Sequence, residues 1–215
     1  MSVTIDGRRE RGDASRRAIL ERAADIASVD GLDGLTLGRL AEESGRGKSS
    51  IATLFGSKES LQLATVQAAA GTFTQRVIEP ARALPHGVSR LSTLLRGLIE
   101  YSRQRVFTGG CFFAAAGADV DSKPGPVRDA VRAELGRWRG YVEEQVRRAG
   151  AADGLALDDE RAELLAFELL ALYDEANSRS VLTGSERPYA LAAAGMRERL
   201  RGVGARDEDL RALEL

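Results

Sequence analysis

The stretch from Thr36 to Leu61 constrains this chain more than any other, because glycines divide it at short intervals. It reads TLGRLAEESGRGKSSIATLFGSKESL. Thr36 is a good helix N-cap, and Gly45 and Gly56 can end helices because glycine adopts a left-handed backbone at little cost. The pattern predicts two short helices joined by a tight turn, followed by the start of a third.

A longer helix is expected before this stretch. Asp13 or Ser15 can N-cap it, and Gly31 and Gly34 end it after about Val29. Its apolar residues recur at helical spacing and form one buried stripe, which comprises Ile19, Leu20, Ala23, Ile26 and Ala27. The residues expected to complete this small core are Leu32, Leu35, Leu37, Leu40, Ala41, Ile51 and Phe55.

The second short helix leaves small and polar side chains outside once Ile51 and Phe55 face the core. These are Lys48, Ser49, Ser50, Ala52 and Thr53. Small side chains let a nucleic-acid backbone approach, and hydroxyls and a cation can donate to phosphates or base edges. One interpretation is a helix-turn-helix that reads the major groove of DNA. The alternative is a short capped helix on an ordinary surface.

The next helix is expected to begin after Ser57 as N-cap. Its first amides and Lys58 can hold a phosphate, because a helix N-terminus favours anions. We expect it to run to about Glu79, where Pro80 and Pro85 end it.

The net charge of −1 hides a gradient along the chain. Residues 1–17 carry five arginines against three acidic residues, whereas residues 151–215 carry fourteen acidic residues against eight arginines. Residues 1–12 show no periodicity and are expected to form a flexible arm. The asymmetry fits a DNA-facing front and an acidic back, but it equally fits two solvated surfaces.

The block from Asp13 to Leu61 resembles the DNA-binding domain of the tetracycline-repressor (TetR) family. The resemblance rests on ILERAADIASVDGLDGLTLGRLAEESG followed by GKSSIATLFGSKESL, in the family's order and spacing. It implies a dimeric, all-helical, ligand-responsive transcriptional regulator, most simply a repressor in a bacterial cytoplasm. We therefore expect an all-α fold of about nine helices, with a DNA-binding domain at 13–60, a ligand-binding and dimerisation domain at 61–204, and a charged, frayed tail at 205–215.

The resemblance also implies which residues contact an operator. They are Thr36, Arg39, Arg46, Gly47, Lys48, Ser49, Ser50, Ala52, Thr53 and Lys58. The family usually has an aromatic residue, mostly Tyr, where this chain has Ala52, and often His where it has Leu54. Because that Tyr commonly contacts the DNA backbone, Arg39, Arg46 or Lys48 is the candidate to replace it. Leu54 is expected to pack on the first helix.

Beyond residue 85 the segments GGCFF and PGPVRDAV resemble the C-terminal domain of one TetR subgroup, without identifying a ligand. A helix at about 158–183 is apolar nearly all round, so it must be buried on more than one side. A second helix at about 188–202 offers alanine and glycine for close packing. Two such helices from each subunit are expected to form the homodimer interface; the alternative is a larger monomeric core.

Aromatic residues of the C-terminal half suggest a pocket for a small apolar or amphipathic effector. The candidates are Phe107, Cys111, Phe112, Phe113, Trp138, Tyr141, Phe167 and Tyr173, with Asn177 and Glu168 as polar groups. The alternative is that these side chains simply fill a core.

Enzymatic interpretations find little support. The single histidine, His86, lies in a predicted turn, and no spacing typical of metal ligands or of a phosphate loop occurs, so neither catalysis nor a cofactor is expected. The lone Cys111 fits inert core in a reducing cytoplasm. No apolar run approaches the length of a membrane span. A second hypothesis is a helical small-molecule sensor or carrier with weak or lost DNA binding, and Ala52 and Leu54 are its support.

Overall fold

The computed structural model describes the backbone of residues 3–215 and the side chains from residue 12 onward. Over this range the chain is all-helical, without a β-strand, so the expected fold class is confirmed. The helices are α1 (Val3–Gly34), α2 (Leu37–Glu43), α3 (Lys48–Phe55), α4 (Lys58–Phe73), α5 (Glu79–Arg82), α6 (Val88–Arg103), α7 (Phe112–Val120), α8 (Pro126–Asp153), α9 (Asp159–Thr183) and α10 (Arg187–Gly202). A π-helical turn (Thr74–Ile78) precedes α5, and a 3₁₀-helix (Asp207–Leu213) follows α10.

Two compact units divide the chain. The N-terminal unit consists of the residues up to Gly71 together with Phe107–Arg132, and the C-terminal unit consists of Thr72–Val106 and Ala133–Leu215. The segment Phe107–Arg132, which we expected in the ligand-binding domain, therefore belongs with the first helices. Sequence periodicity could not show this, because it reports which face of a helix is buried and not the partner that buries it. In the described part of the chain, no helix is long and apolar enough to cross a membrane.

The core of the N-terminal unit matches the predicted apolar pattern. Its fully or nearly fully buried members include Ile19, Ala23, Ile26, Ala27, Leu32, Leu35, Leu40, Ala41, Ile51 and Phe55. Leu20 and Leu37, also expected inside, are only half-buried. Gly31 breaks α1 with φ 72° and ψ 171°, where the glycine loop was expected, and a short helical piece continues to Gly34. Residues 31–36 form the loop that leads into α2.

The helix α1 begins earlier than predicted. It starts at Val3 and not near Asp13, so most of the expected arm is helical. Arginine and glutamate, which are good helix formers, occupy residues 8–11 of this segment, and the segment contains no proline. Met1 and Ser2 lie outside the described residues, as do the side chains before residue 12, which include the arginines of the expected arm.

Pro80 does not end a helix as expected. It has no N–H to donate to the carbonyl four residues back. The backbone widens just before it, and Glu79 donates to the carbonyl of Thr74, five residues back. Pro80 then occupies the first turn of α5, where a missing N–H costs nothing. The helical path therefore continues to Arg82, three residues beyond the predicted end.

The C-terminal unit is built around α6, whose buried face carries Val88, Leu91, Leu94, Leu95, Leu98 and Ile99. Helices α9 and α10 pack directly on each other, and Gly195 makes this possible. A Cβ at that glycine would lie 3.2 Å from Leu172 Cδ1, tighter than ordinary contact. Gly195, one of the small residues expected to allow close packing in α10, therefore serves a contact within one subunit.

The tail at 205–215, which we expected to be charged and frayed, is instead packed. Its 3₁₀-helix buries Leu210 and Leu213, each 1% exposed. Ser89 of α6 donates to Asp209 Oδ1 at 2.6 Å, and Arg96 donates to the carbonyl of Glu214 at 3.1 Å. Two apolar residues three apart on a 3₁₀ turn share one face, and that pattern identifies the contact in retrospect.

Candidate nucleic-acid interface

The turn between α2 and α3 has the geometry predicted for a helix-turn-helix. The Thr36 hydroxyl accepts a hydrogen bond from the Arg39 amide at 3.1 Å and so caps α2. At the other end, Gly45 has φ 63° and Arg46 N donates to Ala41 O at 3.0 Å, as in a Schellman motif. Gly47 then caps α3 without a side-chain hydrogen bond, so its amide end is not blocked by a side chain.

Helix α3 presents a small, polar face to solvent. Lys48, Ser49, Ser50 and Thr53 are exposed and Ala52 is half-buried, while Ile51 and Phe55 lie in the core. Among the described residues Lys48 makes no ion pair or hydrogen bond. Thr53 differs, because its hydroxyl donates to the carbonyl of Ser49 at 2.9 Å. The most available polar groups are therefore in the first turn of α3.

Two arginines predicted as DNA contacts have partners inside the unit. Arg39 pairs with Asp30 at 3.1 Å and with Glu43 at 3.4 Å. Arg46 donates to the hydroxyl of Ser15 at 2.8 Å. A hydrogen bond from Arg22 is the main cause of a lowered pKa for the Glu43 carboxyl, so this carboxylate remains charged and attractive to Arg39.

Lys58 also lies in an internal contact. Ser57 caps α4 as predicted, accepting from the Ser60 amide at 3.0 Å. The ammonium of Lys58, however, turns toward the loop before α2 and donates to Asp33 O at 2.7 Å. The Asp33 carboxylate lies 3.9 Å away. A long, flexible lysine satisfies the nearest acceptor, so a phosphate would compete with this carbonyl.

Leu54 was expected to pack on the first helix, and its side chain remains 37% exposed. Its carbonyl accepts a hydrogen bond from Arg16 at 3.1 Å, and the Arg16 guanidinium lies 4.9 Å from the centre of the Phe55 ring. Arg16 therefore fastens the end of α3 to α1. Arg16 lies 38 residues before Leu54, and no local sequence pattern indicates this contact.

The residues expected to form an effector pocket fall into two groups. Phe107, Cys111, Phe112 and Phe113 belong to the N-terminal unit, where α7 packs along α1. All four are buried, and the rings of Phe112 and Phe113 meet edge to face with centroids 5.1 Å apart. They fill the core of this unit, as the alternative interpretation held.

The second group forms an aromatic cluster in the C-terminal unit. Trp138 stacks on Tyr141 with centroids 6.3 Å apart. Phe73, which the sequence did not single out, meets Trp138 edge to face at 4.8 Å and Tyr101 at 5.3 Å. Trp138 and Tyr141 remain half-buried, so the cluster has an accessible side. Phe73 was not predicted as a pocket residue, because it is the last residue of α4 and reaches the cluster from a different element.

Buried polar pairs join α6, α9 and α10 in the same unit. The hydroxyls of Ser102 and Tyr173 lie 2.5 Å apart, and the Tyr189 hydroxyl donates to Asn177 Oδ1 at 3.4 Å. All four residues are at most 4% exposed. Tyr173 and Asn177 were predicted as pocket residues, and both lie on the inner face of α9.

Two other candidates do not line a pocket. Phe167 is 70% exposed on the outer face of α9. Glu168 makes a bidentate pair with Arg199 of α10, at 2.8 and 2.7 Å. The near-continuous apolar composition of α9 hid this difference, because composition does not distinguish an inner face from an outer one.

Arg105 has a backbone conformation that is unusual for its residue type. Its φ is 50°, the only positive φ among the described residues other than glycine. It follows α6 at the position where glycine commonly ends a Schellman motif. Its guanidinium donates to both the carbonyl and the hydroxyl of Ser180, each at 3.1 Å. The side chain thus caps α9 from the end of α6, which explains an arginine at this position.

Across the described side chains, no group of three or more His, Cys, Asp or Glu residues could hold a metal ion.

Comparisons with known proteins agree with this geometry. A family model described as "Tetracyclin repressor-like, C-terminal domain" matches residues 87–196, about half of the chain. No curated protein matches the chain in sequence.

Solved structures of TetR regulators share the fold. A regulator from Chloroflexus aurantiacus J-10-FL has 23% identity and a TM-score of 0.77, covering 89% of this chain and 96% of its own. SCO4454 from Streptomyces coelicolor has 21% identity and a TM-score of 0.75, covering 95% and 97%. AibR, solved with isovaleryl coenzyme A and operator DNA, has 20% identity and a TM-score of 0.62, covering 76% and 86%. The chain belongs to the tetracycline-repressor (TetR) family of transcriptional regulators.

Proposed function

We propose that this protein is a repressor that binds a near-palindromic operator as a homodimer and leaves it when a small apolar or amphipathic effector binds. The observation that carries the proposal is the exposed first turn of α3, where Lys48 has no partner in the described part of the chain. A helix-turn-helix presents this turn to the major groove. The similar protein AibR was solved with operator DNA and an acyl coenzyme A, which supports the two kinds of partner.

In this proposal Lys48, Ser49 and Ser50 contact the operator directly. Gly47 has no side chain to cover the N-terminus of α3, so the first amides of this helix can donate to a phosphate. The Thr36 hydroxyl accepts in the cap and donates to no acceptor among the described residues, so it can donate to a phosphate. Arg39, Arg46 and Lys58 contribute only if DNA displaces their internal partners, so we assign them a secondary role.

The proposed dimer forms through α9 and α10. One side of α9 exposes Leu164, Phe167, Ala171, Ser178 and Leu182, and the neighbouring side of α10 exposes Ala190, Leu191 and Ala194. Leu182 is 86% exposed and Phe167 70%. Asp174 and Glu175 are exposed between Ala171 and Ser178, but a group of exposed apolar side chains on a helix pair still marks a protein contact. The same face on a second copy gives the isologous four-helix interface of a two-fold dimer.

The proposed effector site uses the aromatic cluster and the buried polar pairs of the C-terminal unit. Trp138 and Tyr141 offer ring faces. The buried Tyr173 hydroxyl and Asn177 amide take part if an effector replaces their present partners, Ser102 and Tyr189. An effector releases DNA only through unequal affinity for the two states of the dimer. Each tenfold loss of operator occupancy requires about 1.4 kcal/mol of that difference.

A second candidate is a small-molecule sensor or carrier with weak or lost DNA binding. It is favoured by the internal contacts of Arg39, Arg46 and Lys58, which leave the DNA-reading face with few free cations. The experiment below distinguishes it, because this candidate selects no duplex.

Replacing Lys48 with alanine is expected to weaken operator binding about 10- to 100-fold, the effect of losing one charge-assisted hydrogen bond. The operator is first obtained by selecting duplexes from a random pool with the wild-type protein, and affinity is then measured across salt concentrations. The slope of log affinity against log salt should fall by about one, because one phosphate contact is lost.

Arg137→Ala is the matched control. Arg137 is an exposed cation of the C-terminal unit, and its one ion-pair partner in the described part of the chain is Glu134 on its own helix. It should retain wild-type affinity and salt slope. If Lys48→Ala and Arg137→Ala behave alike, Lys48 does not contact DNA; if the wild-type protein selects no duplex, the repressor proposal is wrong.

A further inference from the structure

Four charged side chains meet around the loop that leads into α2. Lys123, in the turn after α7, donates to Asp33 Oδ2 and to Asp119 Oδ1, each at 2.7 Å. Lys58, at the start of α4, donates to the carbonyl of Asp33 at 2.7 Å. We refer to Asp33, Lys58, Asp119 and Lys123 as the loop cluster. It joins the loop to two elements that are distant in the sequence.

Asp119 also holds the backbone of this loop. Its Oδ2 accepts from the Asp33 amide at 2.9 Å, and the Leu32 amide bonds to the same carboxylate. Burial raises the pKa of the Asp119 carboxyl, but Lys123 and the two amides together outweigh it, so the pKa lies below its ordinary value. A Cβ at Gly31 would lie 2.9 Å from Asp119 Cγ. The carboxylate therefore occupies the space next to the loop that glycine leaves open.

The position of this loop determines where α2 begins. Leu32 and Leu35 anchor it in the core with no exposed surface, and Thr36 caps α2 directly after it. The turn at Gly45 then connects α2 to α3 through backbone hydrogen bonds. A shift of the loop is expected to move both short helices, since packed elements move as bodies.

The segment that supports the loop lies far from the first helices in the sequence. Residues 87–196 match the C-terminal domain of the family, and α7 lies within that range. Yet α7 packs along α1 in the N-terminal unit. The segment before it is fastened to α1 as well, because Thr108 N donates to Asp25 Oδ1 at 2.7 Å and Gly109 N to the Ser28 hydroxyl at 3.0 Å.

We infer that Asp119 and Lys123 are positioning residues for DNA reading, through which α7 sets the loop that carries α2 and α3. The inference rests on the proposed function. Neither residue is expected to contact DNA. Their role is to hold the loop in the arrangement that suits the major groove, so a change in α7 alters operator affinity without altering the residues of α3.

The test uses the full chain and the duplex selected by the wild-type protein. Asp119→Asn removes the charge but keeps an oxygen that can accept from the Asp33 amide. Lys123→Met removes the cation and keeps the length of the side chain. Each variant is expected to weaken operator binding by a factor of about 2 to 30, the range for residues that modulate a site indirectly. The double variant should lose little more than either single variant, because the two residues act as a pair.

The salt dependence separates positioning from contact. Because no phosphate contact is lost, the slope of log affinity against log salt should stay at its wild-type value, in contrast to Lys48→Ala. Asp121→Asn is the matched control: it makes the same change two residues along, at an exposed carboxylate with no hydrogen-bond partner among the described residues. This control should bind as the wild-type protein does.

Three outcomes overturn the inference. Wild-type affinity in Asp119→Asn shows that the loop cluster is not needed for reading. A reduced salt slope shows a direct phosphate contact. The third outcome is a loss of affinity that disappears once affinity is calculated per binding-competent molecule, which a titration with excess duplex counts. It shows that the substitution affects stability alone. A wild-type protein that binds no duplex overturns the repressor proposal, whereas a normal Lys48→Ala effect with a silent Asp119→Asn overturns only this inference.

Discussion

Replacing Gly109 with alanine is expected to lower the free energy of unfolding by about 3 to 5 kcal/mol, a large part of the stability of a typical domain. The new Cβ would lie 1.9 Å from the backbone carbonyl oxygen of Ser28, a distance that no rearrangement of a side chain can relieve. The segment must move away from α1. That movement adds the cost of overpacking, about 1–3 kcal/mol, to the loss of the charge-assisted bond from Thr108 to Asp25, about 1.5–3 kcal/mol.

Urea unfolding followed by circular dichroism measures this effect, with Gly71→Ala as control. Gly71 lies in α4 in the same unit, and no atom outside its neighbours comes within 4 Å of a Cβ built there. Alanine at that exposed helical position should stabilise the protein by about 0.4–1 kcal/mol. Equal stability of Gly109→Ala and the wild-type protein would contradict the close approach of this segment to α1.

Replacing Phe167 with glutamate is expected to convert the proposed dimer to a monomer and to weaken operator binding about 10²- to 10⁴-fold. Two copies of the new carboxylate would be buried in one apolar interface, where an unpaired charge is strongly unfavourable. A monomer contacts one half-site at a time and loses the gain from linked binding, which accounts for the drop in affinity. Sedimentation velocity at micromolar concentration and operator binding measure the two effects.

Because Phe167 is 70% exposed, glutamate there should leave the fold of the isolated subunit unchanged. Leu84→Glu is the matched control, since Leu84 is an exposed apolar residue outside α9 and α10. It should remain dimeric and bind DNA normally. A Phe167→Glu protein that sediments as a dimer would exclude this face as the interface.

The fold of the DNA-reading unit could be predicted because its signals are local. Glycine at Gly45, a capping hydroxyl at Thr36 and apolar residues at helical spacing all act within one or two turns. The structure reproduces the caps of α2 and α4 and nearly all of the predicted core. The face of α3 follows directly, because burial of Ile51 and Phe55 leaves Lys48 and its neighbours outside.

Contacts between distant segments could not be predicted in the same way. Nothing near Lys58 in the sequence indicates that its ammonium reaches Asp33, and nothing near Cys111 indicates that α7 packs along α1. For this reason, the pocket predicted from the sequence combined aromatic residues that lie in two different units. Local patterns show that a side chain is buried, but they do not show its partner, so the pocket and the partners of Arg39 and Arg46 required coordinates.

The packed 3₁₀-helix at the end of the chain has a consequence for handling the protein. Leu210 and Leu213 cover one side of α6, and Ser89 and Arg96 mark the edges of the covered surface. Proteolysis after Arg206 would remove the 3₁₀-helix and expose the apolar side chains of α6 that Leu210 and Leu213 cover. Preparations trimmed there should therefore aggregate on storage even while α1 to α4 remain folded.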